Sequence, residues 1–487
     1  MTGKGSETTT NTDRWSYFWL AIGSILYVFG NGRWINPLAT WLWPIFMLRF
    51  IRTQKPLRGL ILAGVVFIAG NIISWQGPHF IFIIIAAIMG LIIVLPFLVD
   101  RLIASRFEGF LSTLVFPLAW TSMEYIYSLG PVGTWGSLAY TQYGNLPLMQ
   151  IVSVTGIWGL GFLITWFASV ANSAWEHELT WLKIRSVVGV YACIMALVLL
   201  FGGARLTFFA PVSKTVRVAS ITTPDILSQF RELMKSRKLP PIDNTIYVLE
   251  NLSEQAVRSG AKMAFWQEYA ALLAKKDEEA FIDRACKLAL QEKIYLMLGM
   301  GVFSPDPGVC AENKVVLIDP SGKVIWKYLK HHLAPGLEAP YVIQGKGEMP
   351  LLDTPFGKIA SAICFDLDFP SFIRQVGNAG ADLLLAPSFD WREITPLHTQ
   401  MATFRAIENG FSMIRCTGEG LSIAVDPQGR TLAAVNYFTT DEPVMISEVP
   451  VKGVTTMYSQ IGDIFAWLCV ASLVIIFALA LFRVKSH

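Results

Sequence analysis

Apolar positions crowd the chain from residue 15 to 210, thin into short runs between 213 and 452, and crowd again from 461 to 482. A run of about 20 apolar residues is what a helix needs to cross a bilayer. Eight such runs are expected as spans, at roughly 16–31, 35–49, 59–76, 79–99, 110–128, 148–172, 186–203 and 461–482. The middle region has another rhythm. From Val216 onward, β-branched runs ("VRVASITT", "KMAFWQE", "IYLMLGMGVF") alternate with amphipathic helical stretches ("NTIYVLENLSEQAVRSG", "DEEAFIDRACKLALQE"). That is the pattern of an α/β domain whose strands are buried between helices. "NKVVLIDPSGKVIWKYLK" predicts a hairpin turned at Asp319 to Gly322, and "ADLLLAP" predicts a central strand. The expected fold class is a multi-pass α-helical membrane domain joined to a layered α/β domain. Its parts are seven spanning helices over 1–210, the α/β domain over 213–452, and an eighth transmembrane helix over 461–482.

Composition agrees with a membrane protein: of 487 residues, 53% are hydrophobic and 15% charged, against roughly 25% charged in an average soluble domain. A net charge of +3, carried by scattered basic residues, gives no argument for nucleic-acid binding, and none is expected. Lys and Arg in the short loops set the orientation, because they collect on the cytoplasmic side. Arg49, Arg52, Lys55 and Arg58 follow the second span, Arg101 and Arg106 the fourth, and Arg483 and Lys485 the last. The loops after the third span ("SWQGPH") and the fifth ("LGPVGTWGSLAYTQYGNLP") contain neither Lys nor Arg and are expected outside, with Arg33 the one dissenting charge. Seven crossings from an inner N-terminus then place residues 204–460 on the outer face. The first span lacks a small-residue cleavage site and is expected to be retained. Of six cysteines, Cys193 and Cys469 fall in spans, while Cys286, Cys310, Cys364 and Cys416 fall in the outer domain without paired spacing. Neither a disulfide framework nor a zinc site is expected, and His331 with His332 lacks a third ligand nearby in sequence.

Three polar residues stand where strands run out: Glu268 after "AFWQ", Lys330 after "VIWKYL" and Cys364 after "IASAI". Active groups in layered α/β domains gather beyond strand ends. Singly, a Glu or Lys in such a place reads as a solvated loop charge; together the three have a chemistry. A thiol with an ordinary pKa of about 8.5 needs a base or cation to become a nucleophile. Glu268 can take its proton, Cys364 can attack a carbonyl, and Lys330 can stabilise the oxyanion. Elsewhere, Glu124 inside the fifth span is read either as a structural hydrogen-bonding group or as a neighbour of a lipid cleft. Trp135, Tyr140 and Tyr143 are read as an interfacial aromatic belt in preference to a substrate-facing gate.

The segments "YLKHHLAPGLE", "ICFDLDFP" and "GADLLLAPSFDW" resemble the nitrilase superfamily. That resemblance implies an α-β-β-α sandwich and a Glu-Lys-Cys triad, with Lys330 as its lysine, Glu338 as a supporting acid and Cys364 as the nucleophile at a sharp elbow. Asp366 is then expected to fix the elbow by bonding to backbone. "INPLATWLWPIFMLRFIR", "SLAYTQYGNLPLMQIVSVTGIWGLGFLI" and "QMATFRAIENGFSMIRCTGEGLSIAVDPQGR" are similar to the apolipoprotein N-acyltransferase family. This second resemblance implies an enzyme of the bacterial cytoplasmic membrane with its catalytic domain on the periplasmic face. It would move a fatty acyl chain from a phospholipid, through a cysteine thioester, to the α-amine of a diacylglyceryl-cysteine lipoprotein, with no cofactor and no metal. Gln267 stands where the family usually has proline, Phe365 and Asp366 where it has tyrosine and glutamate, and the loop after Ser388 is shortened to "FDW". The alternatives are a membrane-tethered amidase or nitrilase and an acyltransferase with another amine acceptor. A transporter with an inactive domain is disfavoured, because the spans lack the several charges that ion coupling needs.

Overall fold

The computed structural model describes residues 14–75, 80–210, 213–223, 226–236, 238–304 and 311–484; Cys310, Lys485 and the "QGPH" end of the third-span loop lie outside them. Up to the first strand the described chain is helical: α1 Ser16–Phe29, α2 Pro37–Thr53, α3 Pro56–Ser74, α4 Phe80–Ile103, α5 Phe110–Ser128, α6 Leu146–Met149, α7 Val152–Thr155, α8 Ile157–Glu176 and α9 Trp181–Phe208. Among the described residues, five helical stretches are long and apolar enough to cross a membrane: Pro56–Ser74, Ile83–Arg106, Ile157–Glu176, Trp181–Phe208 and Ile464–Phe482. Both α2 and α3 start on a proline, which suits the first helical turn because that turn has no partner for the N–H. The bundle is held by interlocked aromatic rings, with Tyr27, Trp43, Phe67, Phe97, Phe116 and Trp120 all buried in one cluster. Gly90 lets α4 lie against α3, since a Cβ there would come within 2.7 Å of the Ile68 backbone.

The run expected to span from 148 to 172 does not form one helix. Gly156 adopts φ +64° between α7 and α8, so the spanning helix starts at Ile157. The preceding turns instead lie under the α/β domain, where Gln150 Nε2 donates to Gln428 O at 3.0 Å. Hydropathy summed over 20 residues does not register one glycine turned into the left-handed region. The aromatic-belt reading also fails for Tyr140 and Trp135. Tyr140 is buried edge-on against Phe404, its hydroxyl 2.6 Å from Thr134 Oγ1 and accepting from Arg405 Nη2 at 3.2 Å. Trp135 meets His398 edge-on at 5.4 Å. These rings face the α/β domain, where an amphipathic aromatic suits a domain contact as well as it suits a lipid headgroup. Glu124 accepts from Leu138 N at 3.0 Å and from Ser137 Oγ at 3.2 Å, and so pins the start of the short turn that presents Tyr140.

The α/β part contributes β1 Thr215–Ile221, β2 Met263–Trp266, β3 Ala271–Ala274, β4 Tyr295–Phe303, β5 Glu312–Ile318, β6 Val324–Leu329, β7 Leu351–Thr354, β8 Gly357–Ser361, β9 Leu383–Phe389, β10 Ser412–Gly418, β11 Leu421–Val425, β12 Thr431–Asn436 and β13 Val444–Pro450. One sheet runs β13-β1-β2-β4-β5-β6 with β3 paired to β4, and the other runs β12-β11-β10-β9-β8-β7. Their facing sides share a core in which Val218, Phe265 and Met297 meet Ile359, Leu385 and Ile414. After β1 comes α10 Ile226–Ser236, and the outer face of the first sheet is covered by α11 Ile242–Arg258 and α12 Glu278–Glu292, through Leu249, Ala256, Phe281 and Ala285. The second is covered by α13 Pro370–Asn378 and α14 Leu397–Asn409, through Ile373, Ala402 and Ala406. The hairpin forms at Asp319 to Gly322, with Asp319 Oδ1 accepting from Ser321 N and Lys323 N. "ADLLLAP" opens into β9, buried between the parallel strands β8 and β10.

Helix α14 explains how the two parts dock. Ala402 and Ala406 pack on the second sheet, while Met401, Phe404 and Ile407 join the core of the helical bundle. Apolar on both sides, it behaves as an interior helix. After β13 the chain passes through α15 Met457–Ile461 and ends in α16 Ile464–Val484, which packs along α5.

Candidate active site

Cys364 follows β8 after two residues and has φ +47°, a left-handed backbone that costs a non-glycine residue about 1–3 kcal/mol. Asp366 holds the turn. Its Oδ2 accepts from Ile363 N at 3.0 Å and Tyr328 OH at 2.7 Å, and its Oδ1 accepts from His332 N at 2.8 Å. The thiol is buried and donates to Phe389 O at 3.7 Å.

Glu268 leaves the end of β2 and Lys330 the end of β6, and both side chains are 2% exposed. Lys330 Nζ lies 2.8 Å from Glu268 Oε1 and 2.7 Å from Glu338 Oε2. Asn313 Nδ2 donates to both carboxylates, at 2.6 Å to Glu268 and 2.8 Å to Glu338. Glu338 also accepts from Tyr269 OH at 2.8 Å and from Ala334 N at 3.0 Å. One ammonium therefore sits between two carboxylates in a buried pocket.

On the other side of Cys364 lies a second buried group. Arg415 grips Asp390 in bidentate fashion, at 2.8 and 3.0 Å. His398 Nδ1 lies 2.7 Å from Asp390 Oδ1, and its Nε2 lies 3.2 Å from Asp368 Oδ2. Cys364, Asp390 and His398 are the one set of potential metal ligands among the described residues, with their ligand atoms within 4.8 Å of one another. A metal fits them poorly as they stand: His398 Nε2 is taken up by Asp368, and Nδ1 is crowded by Asp390 and by Arg415 Nη2 at 3.0 Å, a cation beside the very atom a metal would need.

The carbon-nitrogen hydrolase family model matches residues 231–458, and that of the apolipoprotein N-acyltransferase N-terminal domain matches residues 15–170. An apolipoprotein N-acyltransferase of Geobacter metallireducens is 31% identical over 421 residues, covering 80% of this chain and 79% of that protein. The chain belongs to the apolipoprotein N-acyltransferase family. Apolipoprotein N-acyltransferase 2 of Treponema pallidum is 26% identical over 430 residues, covering 74% of each chain. Among solved structures, an amidase of the nitrilase superfamily from Nesterenkonia AN1 is similar, at 18% identity and TM-score 0.42 over 52% of this chain and 95% of that one. As an apolipoprotein N-acyltransferase family member, the protein is an acyltransferase with a nitrilase-like carbon-nitrogen hydrolase domain and several apolar helices.

Electrostatics distinguish the acyltransferase's buried groups. Burial raises the Cys364 thiol, Glu268 raises it further, and Lys330 only partly offsets them, so the thiol is held well above its ordinary value. Burial likewise raises Glu268 more than Lys330 lowers it. Burial works against the Lys330 ammonium, but Glu268 and Glu338 more than reverse that and hold it well above the usual lysine value. Glu338 is lowered: burial opposes its charge, and Lys330 with the Ala334 N–H outweighs burial. For His398, burial disfavours the cation, but Asp368 and Asp390 raise it to about 9.

Of the four residues expected from the sequence, Glu268, Lys330 and Glu338 touch, and Cys364 faces their field from the neighbouring sheet. Sequence reasoning missed Asn313, Tyr269 and the Asp390-His398-Arg415 group. Asn313 and Lys314 open β5, where polar residues read as a solvated strand end, yet they are 1% and 2% exposed. Gln267, in place of the family's usual proline, lies buried with Oε1 accepting from Thr223 N at 3.2 Å, and Gly418 leaves room for it.

Proposed function

We propose that this acyltransferase moves a fatty acyl chain from a phospholipid to the α-amine of a diacylglyceryl-cysteine lipoprotein through a thioester on Cys364. The observation that carries the reading is the buried Glu268-Lys330-Glu338 cluster beside a thiol held in a left-handed turn. In the first half-reaction Glu268 takes the Sγ proton and the sulfur attacks the ester carbonyl. Lys330 stabilises the oxyanion, the ester C–O bond breaks, and Glu268 returns the proton to the departing oxygen. In the second half, the amine attacks the thioester carbonyl, Glu268 removes the proton from nitrogen, the C–S bond breaks, and the proton goes back to sulfur. Glu338 and Asn313 keep the ammonium and the base in place.

A nucleophile 6% exposed favours transfer over hydrolysis, since a closed site keeps water from the acyl-enzyme until the amine arrives. In this reading α1, α2, α3, α4, α5, α8, α9 and α16 all span, the Glu124-bearing α5 among them. The 213–452 domain stands on the periplasmic face of the bacterial cytoplasmic membrane. Steady-state kinetics with phospholipid and a diacylglyceryl-cysteinyl peptide test this reading. Ping-pong kinetics and a triacylated peptide are expected. Release of free fatty acid at the same rate with and without the peptide would replace the transferase with a hydrolase.

A further inference from the structure

Two chain segments flank the nucleophile: the 364–368 turn and the end of β9, whose Phe389 carbonyl accepts from Sγ. His398, on α14, bridges them through Asp368 on the first and Asp390 on the second. The charged groups around His398 are Asp368, Asp390 and Arg415, all at most 1% exposed; its other neighbours are the Trp135 ring and the Cys364 thiol, whose Sγ lies within 4.8 Å. Asp390 and Arg415 act on the thiol with opposite signs, so what His398 adds is position. The helical bundle grips the same turn. Thr134 donates to the Asp368 carbonyl twice, from N at 2.9 Å and from Oγ1 at 2.8 Å. The approach is close enough that a Cβ on Gly133 would lie 2.5 Å from that oxygen. Tyr140, tied to Arg405 of α14, holds Thr134 from behind.

We propose that His398 is a positioning residue for Cys364: it clamps the nucleophile turn to the end of β9, and Thr134 of the helical bundle secures the same clamp from the membrane side. The clamp rests on the reading of Cys364 as the acylated thiol. Its consequence is that the bundle takes part in the chemistry as well as in anchoring, because the turn is held in register only while the α5–α6 segment is seated on Asp368.

The test uses the full-length enzyme in lipid nanodiscs, with single-turnover acylation by phospholipid followed by mass spectrometry. His398→Gln should lower the acylation kcat by about 10²-fold, the cost of a misplacement of roughly 1 Å, while KM for phospholipid stays within about twofold. Thr134→Val, which removes the neutral Oγ1 hydrogen bonds to the Asp368 carbonyl and to Tyr140 but keeps the one from Thr134 N, should lower it about fivefold. The double variant should be no slower than His398→Gln, because both changes open one clamp and their effects do not multiply. Wild-type kcat in His398→Gln, an equal rise in KM, or multiplicative losses in the double variant would each overturn the proposal. If His398→Gln does not accumulate folded, Thr134→Val decides alone, and wild-type kcat there overturns it. Cys364→Ala run alongside separates the two claims. An adduct surviving in that variant defeats the nucleophile assignment and the clamp with it, whereas its loss together with an unaffected His398→Gln defeats the clamp alone.

Discussion

Replacing Lys330 with methionine removes the single cation from a pocket that holds two carboxylates, and the structure sets the size of the effect. Lys330 and Glu268 are each 2% exposed and Glu338 is 12% exposed, so solvent cannot take over the screening. Removing one partner of a buried ion pair costs about 3–5 kcal/mol. Part of that cost is relieved by protonation: without Lys330, burial and mutual repulsion push one of the two carboxyls far above its unfolded value of about 4.3, and it binds a proton at neutral pH. The sign follows from linkage. A carboxyl whose folded pKa is raised contributes stability that is present below the unfolded pKa and is lost as pH rises through the folded one. The deficit of Lys330→Met relative to wild type should therefore be smallest near pH 5 and grow towards pH 8. Activity should fall independently, by about 10²-fold or more, since an oxyanion donor is lost. Thermal unfolding in detergent at several pH values, with single-turnover acylation on the folded fraction, measures both. A pH-independent deficit, or acylation near the wild-type rate, would refute the assignment of Lys330 as the shared cation and oxyanion donor.

Glu268→Gln keeps the shape and the contact with Asn313 but removes the base. It should cost about 10² to 10⁴ in acylation rate, read by the same single-turnover assay. Asp366→Asn turns an acceptor of the Ile363 and His332 N–H groups into a half-donor. It should lower kcat about tenfold without a matching change in KM, because the left-handed turn at Cys364 loses its restraint; wild-type kcat would show that the turn holds itself. An impermeant lysine reagent applied to intact cells, with any outer membrane permeabilised, should modify exposed lysines of the 213–452 region and spare Lys55. Labelling only after lysis of the cytoplasmic membrane would reverse the orientation.

The alternation of strands and helices was legible in the chain because its two periods, 2.0 and 3.6, are local properties. The Asp319 to Gly322 hairpin and the central strand after Asp382 were legible for the same reason. The break at Gly156 was not, because one backbone angle decides it within a run that is apolar throughout. Trp135 and Tyr140 looked like headgroup anchors, since a ring with a polar tip is equally suited to a lipid surface and to a domain contact. Glu268, Lys330, Cys364 and Glu338 could be singled out by their chemistry and by resemblance. Their supporting residues could not: Asn313 reaches Glu268 across 45 positions and Arg415 reaches Asp390 across 25, and only the folded sheets bring such pairs together. His398 lay within a stretch quoted for its resemblance, yet nothing local marked it as the bridge between Asp368 and Asp390.

Acylation of Cys364 can be read directly as a mass. The purified full-length protein is exposed to phospholipid alone, its intact mass is measured, and the modified peptide is sequenced. A single acyl adduct on Cys364 is expected, one that a diacylglyceryl-cysteinyl peptide discharges, that is absent from Cys364→Ala, and that persists in Cys286→Ala and Cys416→Ala. An adduct on another residue, or one that survives Cys364→Ala, would contradict acylation at Cys364.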